Sequence, residues 1–149
     1  MAKRPEQKLK DATRKEYEKI GVDITYIESE MTELGIADTF ICGKGVQGWI
    51  EYKVEYSSDW PCSRRIAFRP GQYPWLMRKY KHGVLALVCI QYMNGIALVA
   101  IQDVDSYYRR PKIEKTLFME KFFDAQAAIN WMRVKQLELP GHSLSAYDI

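Results

Sequence analysis

Residues 84–91 and 96–101 form two nearly unbroken apolar runs, VLALVCIQ and IALVAI, separated by Tyr92-Met93-Asn94-Gly95. Asn-Gly between apolar runs of this length is a strong hairpin signal. A strand with one solvated face alternates apolar and polar residues, and these two do not. They therefore read as central strands, covered by helices on both faces of a sheet. A helix from 5 to 20 ending at Gly21, with Leu9, Ala12, Tyr17 and Ile20 as a loose apolar stripe, another from about 72 to 81 behind Pro70-Gly71, and a third from Asp124 to 135 can supply those layers. The expected class is α/β, a central mixed sheet flanked by helices. At 149 residues it reads as one domain, with a core over about 5–101 and a strand and helix extension over about 103–149.

Upstream, residues 35–53 read GIADTFICGKGVQGWIEYK. Two apolar runs, 37–42 and 49–54, flank a turn holding Gly43, Gly45 and Gly48, which is the pattern of a second hairpin. Strand alternation puts Glu51 and Lys53 on one face, with Ile50, Tyr52 and Val54 on the other. Asp38 lies on the first arm, so pairing around the glycines can bring it to Glu51. Two adjacent carboxylates repel unless a cation sits between them, and Mg²⁺ prefers such oxygen ligands. Lys53 beside them would hold a phosphate or a water-derived nucleophile. The arrangement suits metal-dependent phosphodiester hydrolysis. Taken alone, Glu-x-Lys on a strand is common and is usually a solvated polar face.

Gly35-Ile36-Ala37-Asp38, Glu51-Tyr52-Lys53 and Gln72 ahead of Trp75-Leu76 together resemble the PD-(D/E)xK nuclease superfamily, in particular its VRR-NUC and Holliday-junction-resolvase-like members. That family runs Gly-x-Pro-Asp, Glu-x-Lys, then a Gln opening a helix before Trp-Leu. Ala37 stands where the family has proline. The resemblance covers about residues 24–101 and implies a restriction-endonuclease-like αβββαβ core. It further implies Mg²⁺ or Mn²⁺ held by Asp38, Glu51 and the backbone carbonyl of Tyr52, with Lys53 polarising the attacking water and Gln72 assisting. Without the resemblance, Gln72 reads as a polar capping residue. Many members add a metal-binding Glu from the first helix, for which Glu16 is the candidate here and Glu18 the runner-up. Relatives of this size are often structure-selective homodimers, so the implied partners are branched or Holliday-junction DNA and a second copy. Apolar residues of the last forty positions are the candidate dimer surface.

Charge distribution agrees with a nucleic-acid partner better than the net +3 does. Between Gly21 and Asp59 eight acidic residues face only Lys44 and Lys53. The 43 residues from Trp60 to Gln102 carry no carboxylate but hold Arg64, Arg65, Arg69, Arg78, Lys79 and Lys81. An acidic block able to hold metal is thus followed by a basic one able to hold phosphate. Arg64, Arg65, Arg69, Arg78 and Lys79 are the candidate DNA contacts. Trp60 is either a stacking surface beside them or a residue tucked under a surface loop. SYYRRPK, within 103–112, suits nucleic acid or a protein interface.

Three cysteines with no CxxC pair and two histidines do not supply a structural zinc site, and histidine-centred hydrolysis is poorly provided for. Cys42 and Cys89 are expected as buried reduced thiols. No run is long enough to span a membrane and the N-terminus lacks a signal-peptide core, so a cytoplasmic location is expected. Competing readings are a nuclease fold that binds nucleic acid without cutting it, a sequence-specific restriction-type nuclease, and an interaction protein whose hairpin merely exposes charges.

Overall fold

The computed structural model describes residues 3–27, 35–57, 60 and 65–141. Glu28, Glu30, Glu33, Cys62, Arg64 and residues 142–149 lie outside the described residues. Strands β1 (Asp23–Tyr26), β2 (Thr39–Gly43), β3 (Val46–Val54), β4 (Leu85–Tyr92), β5 (Gly95–Ala100) and β6 (Leu117–Met119) form one sheet in chain order. Helix α1 (Pro5–Lys19) precedes β1, α2 (Gln72–Lys81) joins β3 to β4, and α3 (Ala125–Gln136) follows β6. Only β3 and β4 run parallel, and that pairing requires the α2 crossover; every other neighbouring pair is antiparallel. The expected αβββαβ order is present, and β5 and β6 extend the same sheet.

The continuous apolar character of β4 follows from burial on both faces. Leu85, Leu87 and Cys89 pack with α1 and α3, while Ala86, Val88 and Ile90 pack with α2. Strand β3 shows the same division: Ile50, Tyr52 and Val54 join the first core, leaving Trp49, Glu51 and Lys53 on the α2 face. The alternation read from the sequence therefore holds. Helix α3 begins at Asp124, whose Oδ1 accepts from the Ala127 N–H. Ala128, Ile129 and Met132 are consumed by the chain's own core, leaving Phe122, Val134 and Leu137 exposed in that region. No helix among the described residues is long and apolar enough to cross a membrane.

Three local expectations need correction. The β2–β3 turn is the two residues Lys44 and Gly45, with φ of 52° and 81°, so Gly48 lies inside β3. A Cβ on Gly48 would come within 2.5 Å of the Leu85 carbonyl oxygen, so glycine there permits close strand approach. Cys42 is exposed, because alternation places it opposite the buried Ile41, whereas Cys89 is buried and its thiol is pushed well up by desolvation. On α1 the buried stripe is Leu9, Thr13 and Tyr17, with Ala12 exposed. Thr13 tolerates burial because its hydroxyl donates to the Leu9 carbonyl at 3.0 Å and meets the Tyr52 hydroxyl at 3.0 Å.

Candidate active site

Strand register assembles the site. Thr39 pairs with Ile50, so continuing the β2–β3 ladder by one residue sets Asp38 across from Glu51. Glu51 is 2% exposed and Lys53 8% exposed, and the Lys53 Nζ lies 3.7 Å from the Glu51 carboxylate. Lys53 also donates to Gln72 Oε1 at 2.8 Å. That same oxygen accepts from the Arg69 backbone N–H at 2.7 Å, which fixes the amide orientation. Gln72, 1% exposed, is thus a tether between the β3 lysine and the start of α2. Its Nε2 is buried and has no hydrogen-bond partner among the described residues.

Gly35 makes this convergence sterically possible. It adopts φ +84°, and a Cβ there would lie 2.4 Å from the Gly71 carbonyl carbon and 2.9 Å from the Gln72 nitrogen. The Gly-Ile-Ala-Asp segment therefore docks its backbone directly against the start of α2. Asp38 and Gln72 are carried by two backbones in contact, and only glycine permits that approach.

Electrostatics mark Glu51 as the stressed group. Burial pushes its carboxyl up to about 7. Lys53 and Arg69 oppose that shift, while the negative charges of Asp38 and Glu6 add to it. Lys53 is lowered from its ordinary value, first by desolvation, with Glu51 acting against the shift. Asp38 is paired with Lys10 of α1 and accepts from the Thr39 hydroxyl at 3.1 Å.

Glu16 is not part of this cluster. It pairs with Lys19 at 3.0 Å. The α1 acid whose charge reaches Glu51 and Lys53 is Glu6, which also borders the cleft over Lys53. Ten residues of helix, about 15 Å of rise, separate the two acids. Glu6, Lys10, Thr13 and Tyr17 share one face at helical spacing, so the face that packs on β3 also delivers Glu6 and Lys10 to the site.

A cavity of about 280 Å³ lies over Lys53, bordered by Glu6, Trp60, Arg65 and Arg69. Arg65 and Arg69 also border an adjoining open groove of about 810 Å³ that runs to Tyr107, Arg109 and Arg110. Arg65 and Arg69 are thus at the cleft, whereas Arg78 and Lys79 are not: they sit on the last turn of α2, Lys79 over the Trp75 ring at 4.9 Å. Trp60 is buried against Tyr92, ring centroids 5.3 Å apart, and offers no stacking surface. Glu6 and Lys10 are the site neighbours that sequence reasoning did not assign, and SYYRRPK, left open between nucleic acid and a protein interface, contributes Tyr107, Arg109 and Arg110 to the groove.

Hard oxygen donors fit a divalent cation here. Asp38, Glu51 and the Tyr52 carbonyl are such donors, and burial holds the Glu51 carboxyl up to about 7 even with the Lys53 ammonium 3.7 Å away, a desolvation that a bound cation would offset. The unpartnered Gln72 Nε2 is a buried donor still without an acceptor. No group of three or more His, Cys, Asp or Glu side chains among the described residues is placed to hold a metal. Mg²⁺ is commonly bound through one or two carboxylates with substrate phosphate completing the shell, so a two-carboxylate site is compatible with it.

No protein-family model matches the chain, and no curated protein matches it. In structure it is similar to Hjc of Archaeoglobus fulgidus, a Holliday junction resolvase from an archaeal hyperthermophile. The TM-score is 0.54 and the identity 12%, over 82% of this chain and 98% of that one. The likeness is one of fold: a mixed six-stranded sheet with flanking helices, the restriction-endonuclease-like α/β architecture of that nuclease.

Proposed function

We propose that this chain is a Mg²⁺- or Mn²⁺-dependent endodeoxyribonuclease of the PD-(D/E)xK type, selective for branched DNA such as a Holliday junction. The observation that carries the reading is the buried Glu51–Lys53–Gln72 chain of contacts with Asp38 across the ladder, on the fold of a resolvase. Asp38, Glu51 and the Tyr52 carbonyl would hold the cation, with Glu6 the α1 acid whose charge reaches Glu51. When bound, the cation supplies positive charge against the phosphate and the attacking water.

The chain's own residues do the remaining work. Gln72 Oε1, itself fixed by the Arg69 N–H, holds the Lys53 ammonium beside Glu51. Lys53 then has a further N–H to direct at the attacking water or a phosphate oxygen, and desolvation lowers its hold on its proton. Gln72 Nε2 offers a second donor. Burial of Glu51 and Lys53 strengthens each of these interactions by excluding water. Arg65 and Arg69 supply backbone affinity and salt dependence without reading sequence. A homodimer would suit a substrate with two symmetric strands to cut.

The test is cleavage of labelled linear, flap and four-way-junction DNA with Mg²⁺, Mn²⁺ or EDTA, beside Lys53→Ala. Metal-dependent cutting lost in the variant, strongest on the branched substrates, is expected. Equal cutting by the variant defeats the assignment. A second reading, binding without cleavage, is favoured by the absence of a three-ligand cluster among the described residues and by the Lys10–Asp38 pair. DNA bound but uncut with either metal would establish it.

A further inference from the structure

The SYYRRPK segment belongs to the cleft. Its loop is closed at both ends: Val104 bridges Pro111, the Asp105 N–H donates to the Arg110 carbonyl at 2.9 Å, and the Lys112 N–H to the Asp103 carbonyl at 2.8 Å. It is also fastened across the cleft. The Ile66 N–H donates to the Arg109 carbonyl at 2.9 Å, and Arg65 Nε donates to the Tyr108 carbonyl at 3.0 Å. Arg109 holds φ 60°, an uncommon conformation for a side-chain-bearing residue, and stacks its guanidinium on the Tyr73 ring at 3.6 Å. Such a loop is preorganised, and what it presents outward is Tyr107, 75% exposed, and the exposed Arg110. Both border the groove that shares Arg65 and Arg69 with the cavity over Lys53.

We propose that this groove binds an unpaired DNA strand next to the Glu51–Lys53 site, with a base stacked on Tyr107 and phosphates against Arg110, Arg65 and Arg69. An exposed aromatic ring among arginines is the recurring platform for single strands, because every unpaired base has a free face. A base inside a duplex has both faces covered by its neighbours and cannot use it. Among the described residues Glu55 borders the groove and Asp105 lies in the loop; they accept from the Ser57 N–H at 3.0 Å and from the Tyr108 N–H, and they keep their charge. Arg65, Arg69, Arg109 and Arg110 outnumber them, so the groove's net charge is positive. The link to strand scission rests on the nuclease reading; strand binding itself does not.

The experiment measures affinity of the full chain in EDTA for fluorescent oligo-dT, a flapped duplex and a blunt duplex. Tyr107→Ala is expected to weaken oligo-dT and flap binding about tenfold and to leave the blunt duplex unchanged. Arg110→Ala is expected to lower the salt slope on oligo-dT by about 0.7. Equal losses on all three ligands, or no loss on any, overturn the proposal. Cleavage is read separately. Oligo-dT binding through Tyr107 in a protein that cuts nothing leaves the groove standing and removes the nuclease. Flap cutting by a protein whose strand affinity ignores Tyr107→Ala does the reverse.

Discussion

Glu51→Gln should stabilise the metal-free protein, and by more at high pH than at low. Burial pushes the Glu51 carboxyl up to about 7 in the fold, against an ordinary value of 4.5. A raised acid binds its proton more tightly when folded, so its full stability is present below the unfolded value. That stability is lost as pH rises from there through the folded value. At 1.36 kcal/mol per unit, the loss above pH 7 is about 3 kcal/mol. Between pH 5.5 and 8.5 about 2 kcal/mol of it develops, since part is already lost at the lower pH. Glutamine keeps the shape and does not titrate. Lys53 and its Gln72 partner are common to both proteins, which limits their effect on the comparison. The assay is urea unfolding of both proteins in EDTA at the two pH values. The stability gap, variant over parent, should widen by about 2 kcal/mol towards pH 8.5. Adding Mn²⁺ at pH 8.5 should raise the parent's midpoint and barely move the variant's. A gap that does not change with pH would refute the claim that Glu51 is held against its charge.

Gly35→Ala should destabilise by about 2–4 kcal/mol, since the new methyl meets the Gly71 backbone at a positive φ; calorimetry reads the loss, and parental stability would show that the two backbones are not in contact. Lys10→Met removes the cation paired with Asp38 and should tighten Mn²⁺ binding about tenfold, well inside the ~4 kcal/mol that two charges exchange at 4 Å near a surface. Weaker binding in a calorimetric titration would mean that Lys10 supports the metal site rather than competing with it. Asp103→Ala leaves the buried Lys135 ammonium, now 2.8 Å from Asp103, without its closest partner and should cost about 3–5 kcal/mol in chemical unfolding, though Glu138 at 3.4 Å retains some of the pairing.

The parts of the site legible in the sequence are those governed by short, rigid periods. Strand alternation has a period of two and no slack, so Glu51 and Lys53 had to share a face, and the glycine turn then set Asp38 opposite Glu51. The parts that were not legible depend on partners far along the chain. On α1 the choice between Ala12 and Thr13 as the buried position is a choice of helix phase, worth about 100° of rotation. Hydropathy favours Ala12. Thr13 wins because the Tyr52 hydroxyl, 39 residues away, satisfies its oxygen. The same phase carries Glu6 and Lys10 towards Asp38 and Glu51, which is why Glu16 was the wrong acid to expect there. Trp60 reads either way in the sequence, and its packing on Tyr92, 32 residues along, decides for the tucked-in one.

The cleft's far wall has the same cause and a larger consequence. Nothing in the spacing of Ile66 and Arg109 signals that they share a hydrogen bond, yet that bond and the Arg65–Tyr108 contact bring SYYRRPK against the start of α2. Gly35 brings the Asp38 segment to that start from the other side. The first turn of α2 is thus the joint where three separate stretches of chain meet: Gly35 on Gly71, Lys53 on Gln72, and Arg109 on Tyr73. A helix start contacted in three consecutive residues by three distant segments couples whatever they bind. A strand settling against Tyr107 and Arg110 would press on the same turn that orients Lys53, so occupancy of the groove and alignment of Lys53 should not vary independently.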